Sequence, residues 1–155
     1  MSATIKSPKS SSLFALALAL LVTASCTVRL VSAYDQVIDE GITDFHTKVT
    51  AFVGKMVTLS GKPEGTYDAN QTSYPDFAAA ISSLQMRAAQ TPKNEITVQA
   101  LGELASNLDR LGKLHQAGGD KGLSQALAGP ALAAIDVQCE SILKFEIAKK
   151  RGDEP

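Results

Sequence analysis

The stretch VSAYDQVIDEGITDFHTKVTAFVGKMVTLS, residues 31–60, decides the fold of this chain. Apolar residues recur in it at every third or fourth position, with a mean spacing of about 3.5 residues, which is the period of a packed helical seam. Charged residues fill the intervals, and Asp44 and Lys48 stand four residues apart on the water-facing side. The pattern predicts a helix over about 30–60 that ends at Ser60-Gly61-Lys62-Pro63. The predicted seam consists of Val31, Tyr34, Ile38, Ile42, Phe45, Val49, Phe52, Met56 and Leu59.

Two further helices follow from the same periodicity. The second is predicted over 74–90, because Ser73 supplies a capping hydroxyl and Pro75 stands in the first turn. The third is predicted over 92–116, because Thr91 supplies a capping hydroxyl and Pro92 stands in the first turn. Their apolar stripes are Phe77, Ile81, Leu84 and Ala88 in the second helix, and Val98, Leu101, Leu104, Leu108 and Leu111 in the third.

The fourth helix is predicted over 123–150, with a break or kink at Gly129-Pro130 and a stop at Gly152. The sequence shows no convincing alternating run of the kind that is typical of a strand. The predicted class is therefore all-α, most simply an antiparallel up-down-up-down four-helix bundle over residues 30–152. Residues 153–155 form a short tail.

The N-terminal segment has the composition of a secretory signal peptide. Lys6 and Lys9 precede an apolar run of ten residues, 13–22, and small residues follow it. Ten helical residues reach only about 15 Å, roughly half of a hydrocarbon core of about 30 Å. The length favours a signal peptide over residues 1–25 that is cleaved, and an uncleaved anchor helix is the alternative.

The residues at the end of this segment indicate a particular class of signal peptide. Ala24 and Ser25 directly before Cys26 resemble the lipobox of bacterial lipoproteins, with Thr23 in place of the usual leucine. The resemblance implies cleavage between Ser25 and Cys26 and lipidation of Cys26, so that residues 26–29 become a lipidated tether. Two or three acyl chains hold a protein on a bilayer firmly, whereas one is marginal. The alternative is an ordinary cysteine beside an ordinary cleavage site. Because Thr27 follows Cys26 where inner-membrane lipoproteins usually carry Asp, the resemblance implies the outer membrane, facing the periplasm.

The composition bounds the rest of the chain. Removal of residues 1–25 leaves 130 of the 155 residues, enough for one domain with its own core. The remaining 13 basic and 16 acidic residues give a mildly acidic body, which argues against a nucleic-acid partner. With Cys26 lipidated, Cys139 is the one remaining thiol, which excludes a disulfide scaffold within the chain. Taken whole, the chain resembles small uncharacterised bacterial lipoproteins with helical bodies, on the segments 29–35, 92–95 and 148–152.

In an up-down-up-down bundle the fourth helix returns to the lipidated end. This geometry predicts that Arg29, Lys149, Lys150 and Arg151 lie beside the bilayer, where each cation contributes about 1 kcal/mol on an anionic leaflet. The alternative for the last three is a routine helix C-terminus whose charges complement the helix dipole. The two longer connections, 60–72 and 116–122, fall at the far end.

The sequence offers few residues that could form a catalytic or metal site. His46 and His115 lack the Glu-x-x-His spacing of a bundle metal site, so we expect structural or solvated histidines and no metal or other cofactor besides the lipid. Cys139 lies on the core stripe of the fourth helix and is expected to be inert packing. We therefore expect no enzyme, but an anchored interaction or structural module whose distal loops contact an envelope protein. The alternative function is the binding of a small apolar ligand or lipid, which a pocket lined by Phe45, Phe52, Ile81 and Leu108 would favour.

Overall fold

The computed structural model describes residues 30–153. The predicted signal peptide 1–25, the cleavage and lipidation residues Ser25 and Cys26, Arg29 and the last two residues of the tail lie outside this part. All regular structure within residues 30–153 is helical, which confirms the all-α prediction. Its α-helices are α1 Gln36–Thr58, α2 Tyr67–Asn70, α3 Ser73–Ala89, α4 Glu95–Ala117 and α5 Gln125–Asp153, with 3-10 turns at Pro63–Gly65 and Gly119–Lys121.

Helix α1 begins later than the sequence predicts. The prediction of a start near residue 30 was wrong because Asp35 caps the helix: its carboxylate accepts a hydrogen bond of 2.9 Å from the Val37 N–H. The predicted seam members Val31 and Tyr34 therefore precede the helix. The predicted seam residues Ile38, Ile42, Phe45, Val49 and Met56 are buried. Phe52 is only partly buried and packs against the core, and its neighbour Val53 is the buried residue at this point.

Helix α4 also begins later, at Glu95 instead of residue 92. Thr91-Pro92 does not open it, because Lys93 adopts a left-handed conformation with φ of 64° and turns the chain between α3 and α4. The Lys93 carbonyl in this turn accepts a hydrogen bond of 3.0 Å from the Ser32 N–H. The segment before α1 is thus bonded to the α3–α4 connection.

Helix α5 continues through Pro130, so the helix does not break there, and the predicted alternative of a kink stays a prediction. A proline near the start of a long helix removes one i→i−4 hydrogen bond, and packing against α1 and α4 supports the rest of α5. The predicted stop at Gly152 was wrong as well, since the helix extends to Asp153. The predicted connection over 60–72 contains regular structure, namely the 3-10 turn Pro63–Gly65 and α2.

The four long helices share one apolar core. Helix α3 packs on α1 and α4, and helix α5 packs on α1 and α4, which gives a bundle-like arrangement. Within residues 30–153, α5 is the one helix that passes a length-and-composition test for a membrane span. Core helices pass the same test, and α5 contributes Ile135, Cys139 and Ile142 to the core.

Specific contacts identify two ends. At the Asp35 end, Arg87 near the end of α3 pairs with Asp35 at 2.7 Å, and Lys149 near the end of α5 donates to Asn94 before α4 at 2.7 Å. At the His115 end, the Gly61 N–H after α1 donates to the Lys121 carbonyl before α5 at 2.9 Å.

Candidate functional site: a groove at the His115 end

His115 is a fully buried histidine in the last turn of α4. Its Nε2 lies 2.9 Å from the Gly65 carbonyl oxygen and its Nδ1 lies 2.8 Å from the Tyr74 hydroxyl. A carbonyl only accepts hydrogen bonds, so Nε2 carries the proton and Nδ1 accepts from Tyr74. Both ring nitrogens of His115 therefore have a hydrogen-bond partner.

Two tyrosines extend this buried group toward the surface. The Tyr67 ring of α2 stacks on the Tyr74 ring with centroids 5.4 Å apart, and it meets the His115 ring edge-on at 5.8 Å. Burial raises the pKa of the Tyr74 hydroxyl well above its usual range, so that it stays a hydrogen-bond donor. The His115 cluster, defined as Gly65, Tyr67, Tyr74 and His115, thus joins α2, α3 and α4.

At the His115 end, glycines allow the backbones of the connecting segments to pack directly against one another. A Cβ on Gly65 would lie 2.2 Å from the Leu59 carbonyl oxygen, and one on Gly122 would lie 2.3 Å from the Gly65 oxygen. Gly122 also has a φ of 63°, which favours glycine. On α4, the site of a Cβ on Gly112 lies 3.3 Å from the Tyr74 ring, so this helical glycine accommodates an aromatic ring.

A solvent-open groove of about 390 Å³ lies beside the His115 cluster, between α2, α3 and α4. Its lining is mainly apolar and aromatic, and an ion pair of 2.7 Å between Asp109 and Lys113 borders it. Such a surface suits the burial of an apolar segment, with polar contacts at the rim. The lining residues are Tyr67, Tyr74, Pro75, Ala78, Ala105, Leu108, Asp109, Gly112, Lys113 and Gln116.

The structure corrects the prediction for Lys149. Its side chain is buried, and its ammonium group pairs with the Glu146 carboxylate and donates to Asn94 at 2.7 Å and Thr97 at 2.9 Å. The second Glu146 oxygen accepts from the Asp35 N–H at 3.2 Å. Lys149 is thus a buried structural cation, because α5 turns it toward the start of α4.

Lys150 and Arg151, by contrast, are exposed, and their placement beside a bilayer stays a prediction. A pocket lined by Phe45, Phe52, Ile81 and Leu108 would have favoured the binding of a small apolar ligand, but these four side chains pack in or against the core. Phe45, Ile81 and Leu108 are core members, Phe52 packs against them, and only Leu108 also borders the groove.

The remaining candidate groups are tied to neighbours or buried. His46 lies 2.8 Å from Asp136 of α5 in a partly exposed pair. Cys139 is buried, and burial raises the pKa of its thiol to about 12. In the part of the chain from residue 30 to 153, no three His, Cys, Asp or Glu side chains gather as metal ligands would.

Tyr67 and Tyr74 were not predicted as site residues from the sequence. The only local sign of them in the sequence is that two of the three tyrosines lie close together, one before the predicted second helix and one at its start. Comparisons of the chain with protein-family models, with curated proteins and with solved structures find no significant match. The role of the groove is therefore argued from its geometry.

Proposed function

We propose that this chain is a lipid-anchored protein of the bacterial cell envelope that acts as a non-catalytic interaction module. In this proposal residues 1–25 are a signal peptide, Cys26 carries the lipid, and the body faces the periplasm from the outer membrane. The groove at the His115 end receives an apolar segment of an envelope protein. The observation that carries the proposal is this groove, built from three helices at the end opposite to Asp35.

The proposal includes an up-down-up-down arrangement of the four long helices. Its support is the set of contacts at the two ends, since each pairs the start of one helix with the end of another. Asp35 at the start of α1 contacts Arg87 and Glu146, whereas Tyr74 at the start of α3 contacts His115 at the end of α4. In this arrangement the groove is distal to the predicted anchor.

The chemistry of the groove supports recognition without catalysis. The Tyr74 hydroxyl is engaged by His115, and Asp109 and Lys113 pair with each other on the exposed side of α4. A catalytic acid, base or nucleophile needs a reacting atom within its reach and a pKa suited to the reaction. The groove offers mainly packing surface, which is what binding of an apolar segment requires.

The anchor is tested with two matched cysteine variants. In the envelope of a Gram-negative host, Cys26→Ser should abolish acylation of the chain, seen by intact-mass spectrometry, and its flotation with membranes. Cys139→Ala should keep both, because Cys139 is a core residue. Acylation of the Cys26→Ser chain, or an unacylated native chain, would refute the anchor.

The groove is tested by site-specific photocrosslinking in cells. A benzophenone side chain placed at Ala78, which lines the groove, should crosslink a discrete envelope protein. The same group at Ala133, an exposed position on α5 outside the groove, is the matched control. Ala105→Arg, which fills the groove with a charged side chain, should remove the Ala78 product. Equal products at both positions, or a product that survives Ala105→Arg, would contradict the proposal.

The volume of the groove supports a second candidate, a small apolar ligand. About 390 Å³ falls within the range of roughly 300–1,000 Å³ that is usual for small-molecule sites. Native mass spectrometry should then detect a copurifying molecule on the wild-type protein and lose it in Ala105→Arg. A protein without such a mass, combined with a specific Ala78 crosslink, would favour the protein partner.

A further inference from the structure

Exposed apolar side chains are distributed unevenly over the helical body. Residues 31–153 present six large ones, and four of them stand near the Asp35 end. These are Val37 of α1, Met86 of α3, Ile96 of α4 and Ile147 of α5, each between 43% and 62% exposed. We call these four residues the apolar collar. The other two, Leu127 and Val137, lie further along α5.

Hydrogen bonds place the collar at one level of the body. Asp35 is bonded to Arg87 at 2.7 Å and, through its N–H, to Glu146 at 3.2 Å. Glu146 in turn accepts from Thr97 at 3.2 Å. Each collar residue is one or two positions from a member of this set, so each long helix contributes one apolar side chain at the same height.

The arrangement favours a lipid surface over a protein partner as the occupant. A protein partner contacts one side of a helical body, whereas the collar presents a side chain on every long helix. A fluid lipid surface can surround an end and contact all four, as it does with the apolar faces of interfacial proteins. The predicted lipid would hold the bilayer close to this end, because Leu30 is four positions after Cys26 and four residue steps span at most about 14 Å.

The charged side chains at the Asp35 end do not make its contact with a membrane depend on anionic headgroups. Lys150 and Arg151 are exposed in the last turn of α5, and long basic side chains can keep their charge among headgroups while their stems contact apolar groups. A third exposed cation, Lys93, lies in the α3–α4 turn at this end. Exposed Glu40 and Glu95 together with partly exposed Asp39 offset the three positive charges. The attraction is therefore expected to come mainly from apolar contact, with a weak dependence on headgroup charge.

We infer that the Asp35 end rests in the lipid interface, with the apolar collar in contact with acyl chains around it. The inference rests on the proposed lipid anchor at Cys26 and adds a fixed orientation to it: the body stands on this end and presents the groove away from the bilayer. A bare tether would instead leave the body free to rotate.

The chain contains no tryptophan, so single tryptophans report on each position without background. The variants Val37→Trp, Met86→Trp, Ile96→Trp and Ile147→Trp, expressed from the full chain and purified in acylated form, are reconstituted in phosphatidylcholine vesicles with or without acyl-chain bromination. Val137→Trp is the matched control, because Val137 is 63% exposed on α5 away from the collar. The collar tryptophans should shift to the blue and lose emission in brominated vesicles, while the control should do neither. Phosphatidylglycerol vesicles should give a similar result.

Failure of the inference and failure of the anchor have different signatures. Protein that floats with the vesicles while its collar tryptophans stay unquenched would refute the inference and leave the anchor intact. An unacylated chain that does not float would refute the anchor, and the inference with it. A blue shift without bromine quenching, together with crosslinks between copies through the collar, would assign the collar to a second copy and also refute the inference.

Discussion

Lys149 and Glu146 form a buried ion pair whose cost of disruption follows from its contacts. An ammonium group has three protons to donate, and in Lys149 they go to Glu146, Asn94 and Thr97. Lys149→Met removes all three hydrogen bonds and leaves the Glu146 carboxylate buried without its counter-charge. Breaking a buried pair in this way costs about 3–5 kcal/mol. We expect that loss in the free energy of unfolding.

The loss is large against the whole stability of a domain, which is about 5–15 kcal/mol, and corresponds to a fall in Tm of roughly 10–20 °C. Urea unfolding followed by circular dichroism at 222 nm measures it. Lys144→Met is the matched control on the same helix, because Lys144 pairs with Glu140 between side chains that are 71% and 62% exposed. Water and salt screen such a pair, so this variant should unfold with wild-type stability within error.

The double variant Glu146→Leu with Lys149→Met separates the effect of the two charges from the effect of the volume that the two side chains fill. It removes both charges together, and buried pairs replaced by apolar residues are often neutral in stability. We therefore expect it to be more stable than Lys149→Met alone. A Lys149→Met variant that loses less than about 1 kcal/mol, or a double variant that is less stable than the single one, would refute the reasoning.

Three further predictions concern the core and its connections. His115→Phe leaves two buried partners unsatisfied and should cost about 2–4 kcal/mol in urea unfolding, whereas the same change at the partly exposed His46 should cost clearly less; equal losses would contradict the assigned contacts. Because burial raises the pKa of the Cys139 thiol from 9.0 to about 12, its contribution to stability is full below pH 9.0 and lost between pH 9.0 and about 12. Folded protein at pH 9 should accordingly resist iodoacetamide at Cys139 and react once unfolded in urea, as peptide mass mapping would show; labelling of the folded form would refute this. Gly65→Ala brings a Cβ within 2.2 Å of a backbone oxygen and should lower Tm sharply, while Gly54→Ala, with open space around it, should raise stability by about 1 kcal/mol; a reversed order would contradict the packing.

The helical class and most of the core could be predicted from the sequence because both are local patterns. Apolar residues three and four positions apart share one face of a helix, whatever that face packs against. The seam from Ile38 to Met56 and the stripe from Leu101 to Leu111 are buried for this reason. Cys139 on the stripe of the last helix is buried in the same way. His115 was expected to be structural or solvated, and it is buried with both ring nitrogens bonded.

Tertiary contacts decided the remaining features. The cap of α1 by Asp35 on the Val37 N–H is a local contact, but Asp35 is also bonded to Arg87 and Glu146, which are more than fifty residues away in the sequence. Lys149 is read as a surface cation from its neighbours Lys150 and Arg151, and only the packing of α5 against α4 turns it inward. The groove likewise exists only where α2, α3 and α4 meet. Periodicity identifies the face of a helix that is buried, but the partner of that face, the ends of the helix and the hollows between helices depend on residues that are distant in sequence.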